Sequence, residues 1–104
     1  MVYKVIVSPR AKLHLRNIVQ YVKFVLKNPT AAERIFQDAE KTMNKLTYLA
    51  ESLKVCEEPE LAEQGYRVIL FQKHDYMVLY RVDGEFVFVD GIFHRLQDYY
   101  SCFK

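Results

Sequence analysis

The chain has 104 residues, a length suited to one domain. With 51% hydrophobic and 27% charged residues and only three Gly and three Pro, it can build one packed core, which excludes a disordered or linker-rich protein. The formal net charge of +2 does not by itself mark a nucleic-acid binder, and no apolar run reaches the ~20 residues of a membrane span.

The opening "MVYKVIV" reads as a strand and not as a leader peptide, which makes the cytoplasm the expected location, with no membrane partner. Within it "VYKVIV" (2–7) alternates with period two and is rich in β-branched residues. Ser8 then suits a helix N-cap and Pro9 the first helical position. Leu15, Ile18, Val19, Val22 and Leu26 fall on one helical stripe. Asn28-Pro29 ends that helix, and Thr30 with Glu33 fits a capping box for a second one. Ala32, Ile35, Phe36, Ala39, Met43, Leu46 and Leu49 form its stripe. Two long amphipathic helices with a short break predict an antiparallel hairpin.

The segment "ESLKVCEEPELAEQG" lacks periodicity and is expected to be mostly loop. Three strands should follow: 66–73, 76–82 and 85–93, with turns at His74-Asp75 and Asp83-Gly84. The order β-α-α-β-β-β predicts one α+β domain over residues 1–104, a helical hairpin packed on a twisted antiparallel sheet. Two-residue turns would put Arg67, Ile69, Phe71, Tyr76, Val78, Tyr80, Val87 and Val89 on one face. Val68, Leu70, Met77, Leu79, Arg81, Phe86, Phe88 and Ile92 would share the other. Both faces are apolar. The helices cover one; the other is covered either by a partner or by residues 94–104 and the connector.

Cys56 and Cys102 are far apart and are expected to be free thiols. The histidines His14, His74 and His94 have no zinc spacing, and His14 is expected at the surface. No Gly-rich phosphate loop or nucleophile elbow occurs, and no metal or cofactor is expected. What remains is basic and aromatic: Arg67, Arg81, His94, Arg95 and Tyr99. Arginine forks two N–H groups onto phosphate oxygens, His94 can move protons near neutral pH, and Tyr99 can stack on a base or bond a phosphate. This is the inventory of a metal-free ribonuclease that uses the substrate's own 2′-hydroxyl. The same residue types also serve as ordinary strand-edge and surface groups. Whether Arg67 lies near His94 does not follow from the sequence.

The order of "SPRAKLHLRNIVQYV", "NPTAAERIFQDAEKTMNKL", "GYRVILF", "YMVLYRVDGEFVFVDGIFHR" and "QDYY" resembles the RelE/ParE superfamily of toxins from type II toxin–antitoxin modules, over nearly the whole chain. The resemblance implies a cognate antitoxin that wraps the toxin and supplies any DNA binding. RelE-like members cleave mRNA in the ribosomal A site without a metal; ParE-like members poison DNA gyrase. By resemblance Arg67 and Arg95 would bind phosphate, His94 would be an acid or base, and Tyr99 an accessory. Lys54, Lys73 and Arg81 are candidates for contacting RNA. RelE-type toxins carry paired lysines before the Arg strand, whereas "KVCEEPELAEQ" has Lys54 alone among acids. The resemblance thus implies a ribosome-dependent mRNA endoribonuclease, with a gyrase inhibitor or an inactive homologue that only binds its antitoxin as alternatives.

Overall fold

Ser8 starts the helical hairpin as its residue type demands. Its extended backbone (ψ 157°) leaves the hydroxyl free to accept from the Ala11 N–H, and Pro9 takes the first helical position. The computed structural model describes residues 2–97. Asp98, Tyr99, Tyr100 and Cys102 lie outside the described residues. Strand β1 (Lys4–Val7) leads into α1 (Pro9–Gln20), which continues as a π-helical turn at Tyr21–Val25. Lys27 closes the turn with φ 54°. The wider turn rotates the apolar stripe. Val22 is buried, but Leu26, expected on the stripe, is exposed.

Helix α2 (Pro29–Leu49) is capped by Asn28, whose Oδ1 accepts from the Ala31 N–H at 3.1 Å; Thr30 is not the cap. Asn28 precedes Pro29, so its non-helical backbone and short side chain already meet the cap requirement. The helix buries Ala32, Ile35, Ala39 and Leu46, together with Asp38 and Thr42. Phe36 and Leu49 are exposed, at the margins of a stripe narrower than the sequence suggested.

The connector is more ordered than a loop. After a 3₁₀ turn at Ala50–Ser52, Val55 bridges Arg67, and α3 (Pro59–Glu63) follows. Strands β2 (Tyr66–Leu70), β3 (Tyr76–Asp83) and β4 (Phe86–His94) complete the chain order β-α-α-β-β-β, with the short α3 in the connector. The sheet order is β1-β4-β3-β2. β2–β3 and β3–β4 are antiparallel, whereas β1 joins β4 in parallel, so the sheet is mixed. The helical hairpin supplies the long crossover that a parallel partner requires.

Both turns differ from expectation without changing strand parity. β2 stops at Leu70, and Phe71 N–H still bonds the Tyr76 carbonyl at 2.9 Å. The second turn is Gly84-Glu85, with Gly84 at φ 60° and Asp83 paired with Phe86. A bulge does change parity. Leu79 pairs with Gly91 but Tyr80 with Val89, which leaves Asp90 as the extra residue. Beyond it the faces swap. Ile92, expected opposite the helices, joins Val78, Tyr80, Val87 and Val89 in the main core. Phe93 turns to the second face with Met77, Leu79 and Tyr66. Cys56, a buried thiol, and Leu61 from the connector pack there too, so the second face is partly covered by the chain itself. No helix among the described residues is long and apolar enough to cross a membrane.

Candidate functional site

The parity of β2 directs Arg67 to the helix side, with Ile69 and Phe71. There its Nη1 donates to the Leu53 carbonyl at the end of the 3₁₀ turn. The same guanidinium lies close enough to Tyr80 to oppose the rise in that phenol's pKa, a rise driven by burial. Arg67 is thus built into the junction between α2, the connector and the sheet.

His94 sits toward the other end of β3 from the Arg67 position. It pairs with Tyr76, their rings edge-on at 5.4 Å, while Arg67 pairs with Tyr80. The two residues are two strands apart and offset by four residues, or about 16 Å at ordinary sheet spacings. His94 lines a depression with Val22, Leu26, Ala31 and Asp75 on the helix side, and its Nδ1 accepts from the Leu96 N–H at 3.1 Å.

Arg95 follows His94 but belongs to the opposite face. Its N–H bonds the Asp75 carbonyl at 2.9 Å and its Nη1 lies 3.8 Å from the Asp75 carboxylate. Its side chain lines a groove of about 320 Å³ floored by Val68, Leu70 and Met77. Lys54 lines the same groove from the connector, 2.9 Å from Glu57. The structure therefore brings Lys54 and Arg95 to one groove and leaves Arg67 and His94 out of it. Tyr99 lies outside the described residues.

Arg81 forms a third cluster. Its Nε lies 3.6 Å from Asp90, and its guanidinium stacks 4.6 Å above the Phe88 ring. Tyr66 donates its hydroxyl to the same Asp90 oxygen at 2.6 Å. Burial and that bond push the Tyr66 phenol up to about 12, so it remains a donor at neutral pH. The bulge at Asp90 aims this carboxylate at Tyr66 and Arg81.

The family model for the ParE toxin of type II toxin–antitoxin systems (parDE) matches residues 5–99. The chain belongs to the ParE toxin family. Among solved structures, the chromosomal ParDE system of P. aeruginosa matches with a TM-score of 0.74 at 20% identity, covering 89% of this chain and 96% of that one. The RelBE2 toxin–antitoxin complex of Mycobacterium tuberculosis matches with a TM-score of 0.59 at 17% identity, covering 91% and 100%. At these identities the structures speak for the shared fold. No curated protein matches the sequence significantly.

Two polar residues of this ParE-family chain escaped the sequence reading. Asp38 lies on the buried stripe of α2, yet all its acceptors are used. Oδ1 takes the Gln72 N–H at 3.1 Å; Oδ2 takes the Lys73 N–H at 2.9 Å and faces His74 Nδ1 at 2.7 Å. Burial alone would raise its pKa, but the His74 bond and the two turn amides outweigh it and hold the carboxyl below its ordinary value. A charged residue at a core position between Ile35 and Ala39 was the available signal. His14, expected at the surface, is half-buried against the Phe93 ring at 4.8 Å. Its Nδ1 accepts the Ile92 N–H at 3.2 Å, because β1 ends at Val7, opposite Val89, and leaves the β1-side edge of this part of β4 unpaired. Burial, then Arg10, lowers its pKa, which favours the neutral ring this bond requires. Lys73 is held only by its backbone amide; its side chain is exposed beside Asp38.

Proposed function

We propose that this toxin acts by binding its target and not by cutting RNA, with DNA gyrase as the target in the manner of ParE-like members of the superfamily. The observation that carries this is the separation of Arg67 from His94: phosphate binding and proton transfer at one phosphodiester need both groups within hydrogen-bond reach of it. Arg67 is engaged with the Leu53 carbonyl, two strands and four residues away from His94 on the same face. The test is a supercoiling assay with purified protein. Inhibition at micromolar toxin, with no cuts mapped on mRNA in a translating extract, is the expected pair of results. Cuts that disappear in Arg67→Ala, with supercoiling untouched, would overturn the proposal.

The endoribonuclease reading retains one observation in its favour: Lys54 and Arg95 flank the same groove, where a phosphate would find two cations. Its test is the same cleavage map on Arg95→Ala, which must lose the cuts. In either case an antitoxin is the expected partner. The apolar floor at Leu70, which is 48% exposed, between Lys54 and Arg95 suits an apolar side chain flanked by carboxylates. Action on either target would take place in the cytoplasm.

A further inference from the structure

The cations at the outer side of α2 have a different arrangement from those of the groove. Arg34, Lys41 and Lys45 are spaced i, i+7 and i+11, which places them within about 40° of one another around the helix and over about 16 Å of its length. Of the acids of the same helix, Glu33 and Glu40 project about 80° or more away from every member of that row, while Asp38 lies beside it. The turn between β2 and β3 brings Lys73 to the same side. Together Arg34, Gln37, Lys41, Gln72 and Lys73 surround a depression of about 630 Å³.

The carboxylate at its base offsets one of these charges but pairs directly with none of the four cations. Both oxygens of Asp38 are occupied by the Gln72 and Lys73 amides and by His74. The side chains of Arg34, Lys41, Lys45 and Lys73 are exposed, and none forms an ion pair among the described residues. Three cations around one depression that holds a single carboxylate, with Lys45 next along the α2 row, leave a net positive surface whose repulsion a polyanion relieves. Two glutamine amides beside them add donors that suit phosphate oxygens.

We propose that this surface binds the phosphodiester backbone of nucleic acid directly, without reading sequence. A row of about 16 Å meets several phosphates, since a duplex strand carries one charge per about 3.4 Å. DNA contact is then not confined to what an antitoxin supplies. The proposal is independent of the gyrase reading, because its readout is binding by the isolated toxin.

The experiment is fluorescence anisotropy of the purified protein against a short labelled duplex DNA and a single-stranded RNA of the same sequence, across a salt series. The triple variant Arg34→Ala, Lys41→Ala, Lys73→Ala is compared with a triple of equal charge loss on the other helix, Lys12→Ala, Arg16→Ala, Lys23→Ala. The first is expected to weaken binding about tenfold or more and to flatten the log–log salt slope by about 3, and the second to leave both nearly unchanged. The single variant Arg34→Gln, expected to flatten the slope by about 1, covers the case in which the triple folds poorly. Binding to either probe supports a backbone site, and a preference for DNA or for RNA identifies the ligand class. Equal weakening by both triples, or no binding by wild type at low salt, would overturn the proposal.

Discussion

Replacing Asp38 tests how the turn that carries Lys73 and His74 is held. Three donors converge on its carboxylate from a segment more than 30 residues away: the Gln72 and Lys73 amides and His74. In Asp38→Ala all three lose their acceptor. Hydrogen bonds to a charged group contribute about 1.5–3 kcal/mol each when buried, but these donors lie near the surface and water replaces part of the loss, so about 3 kcal/mol in total is expected. For a domain of this size that lowers Tm by about 12 °C or more. Asp38→Asn is the sharper probe. Donors approach both oxygens, so whichever position the amide nitrogen takes, it faces an N–H; about 1.5–2 kcal/mol should be lost despite the conserved shape. The pH dependence follows from the direction of the shift. The folded-state pKa lies below the ordinary 3.8, so the unfolded chain binds more protons and this stabilisation is complete above about pH 4. The part that depends on the charge is lost as pH falls through the lower folded value, where the gap between wild type and Asp38→Ala narrows. Urea unfolding followed by circular dichroism from pH 7 to pH 2 measures the gap. A loss below about 1 kcal/mol in Asp38→Ala at pH 7 would refute the reasoning.

His14 has the opposite charge logic. Its folded-state pKa lies below 6.5, so stability is full above that value and falls as pH drops below it, levelling off once the folded ring also protonates. His14→Gln keeps an acceptor for the Ile92 N–H without titrating; between pH 7.5 and 5 its urea midpoint should fall less than that of wild type. Gly91→Ala would drive a Cβ into the Phe93 ring and toward His14 Nδ1, and should cost about 1–3 kcal/mol by thermal unfolding. Arg67→Lys keeps the charge but loses the planar guanidinium donor to Leu53. It should cost about 1 kcal/mol of stability, and supercoiling inhibition per folded molecule should be unchanged.

The sequence carried the elements and the main core because the signals there are local. Ser8-Pro9 and the two apolar helical stripes name their own structure, and turn parity assigned Ile69, Val78, Tyr80, Val87 and Val89 to one face. What it lacked came from interactions at long range. The Asp90 bulge leaves no mark in the alternation of "EFVFVDGIF" except the Asp-Gly pair, yet it reverses Ile92 and Phe93. The parallel pairing of β1 with β4 cannot be read from either strand alone. The connector reads as an acidic loop, yet it pairs with β2 through the Cys56 N–H to the Tyr66 carbonyl at 3.0 Å and buries Leu61.

The same period of two governs the segment that looked most like an active site. Neighbouring residues of a strand point to opposite faces. His94 ends β4, and the ladder continues one residue further because the Arg95 N–H still bonds the Asp75 carbonyl. His94 therefore meets Tyr76 and the end of the helical hairpin, while Arg95 meets Met77 and the connector. A proton-transfer histidine and a phosphate-binding arginine at consecutive positions would need the strand to stop between them to share one face, and it does not. Any single target that contacts both must wrap around the sheet end near Asp75, or bind a toxin whose last strand has frayed there. A binding toxin can meet that requirement with an extended protein surface. A ribonuclease has to place one phosphodiester within about 3 Å of both groups, which this ladder opposes. The period of two that resumes after the Asp90 bulge is thus the strongest physical argument against reading His94 and Arg95 as one catalytic unit.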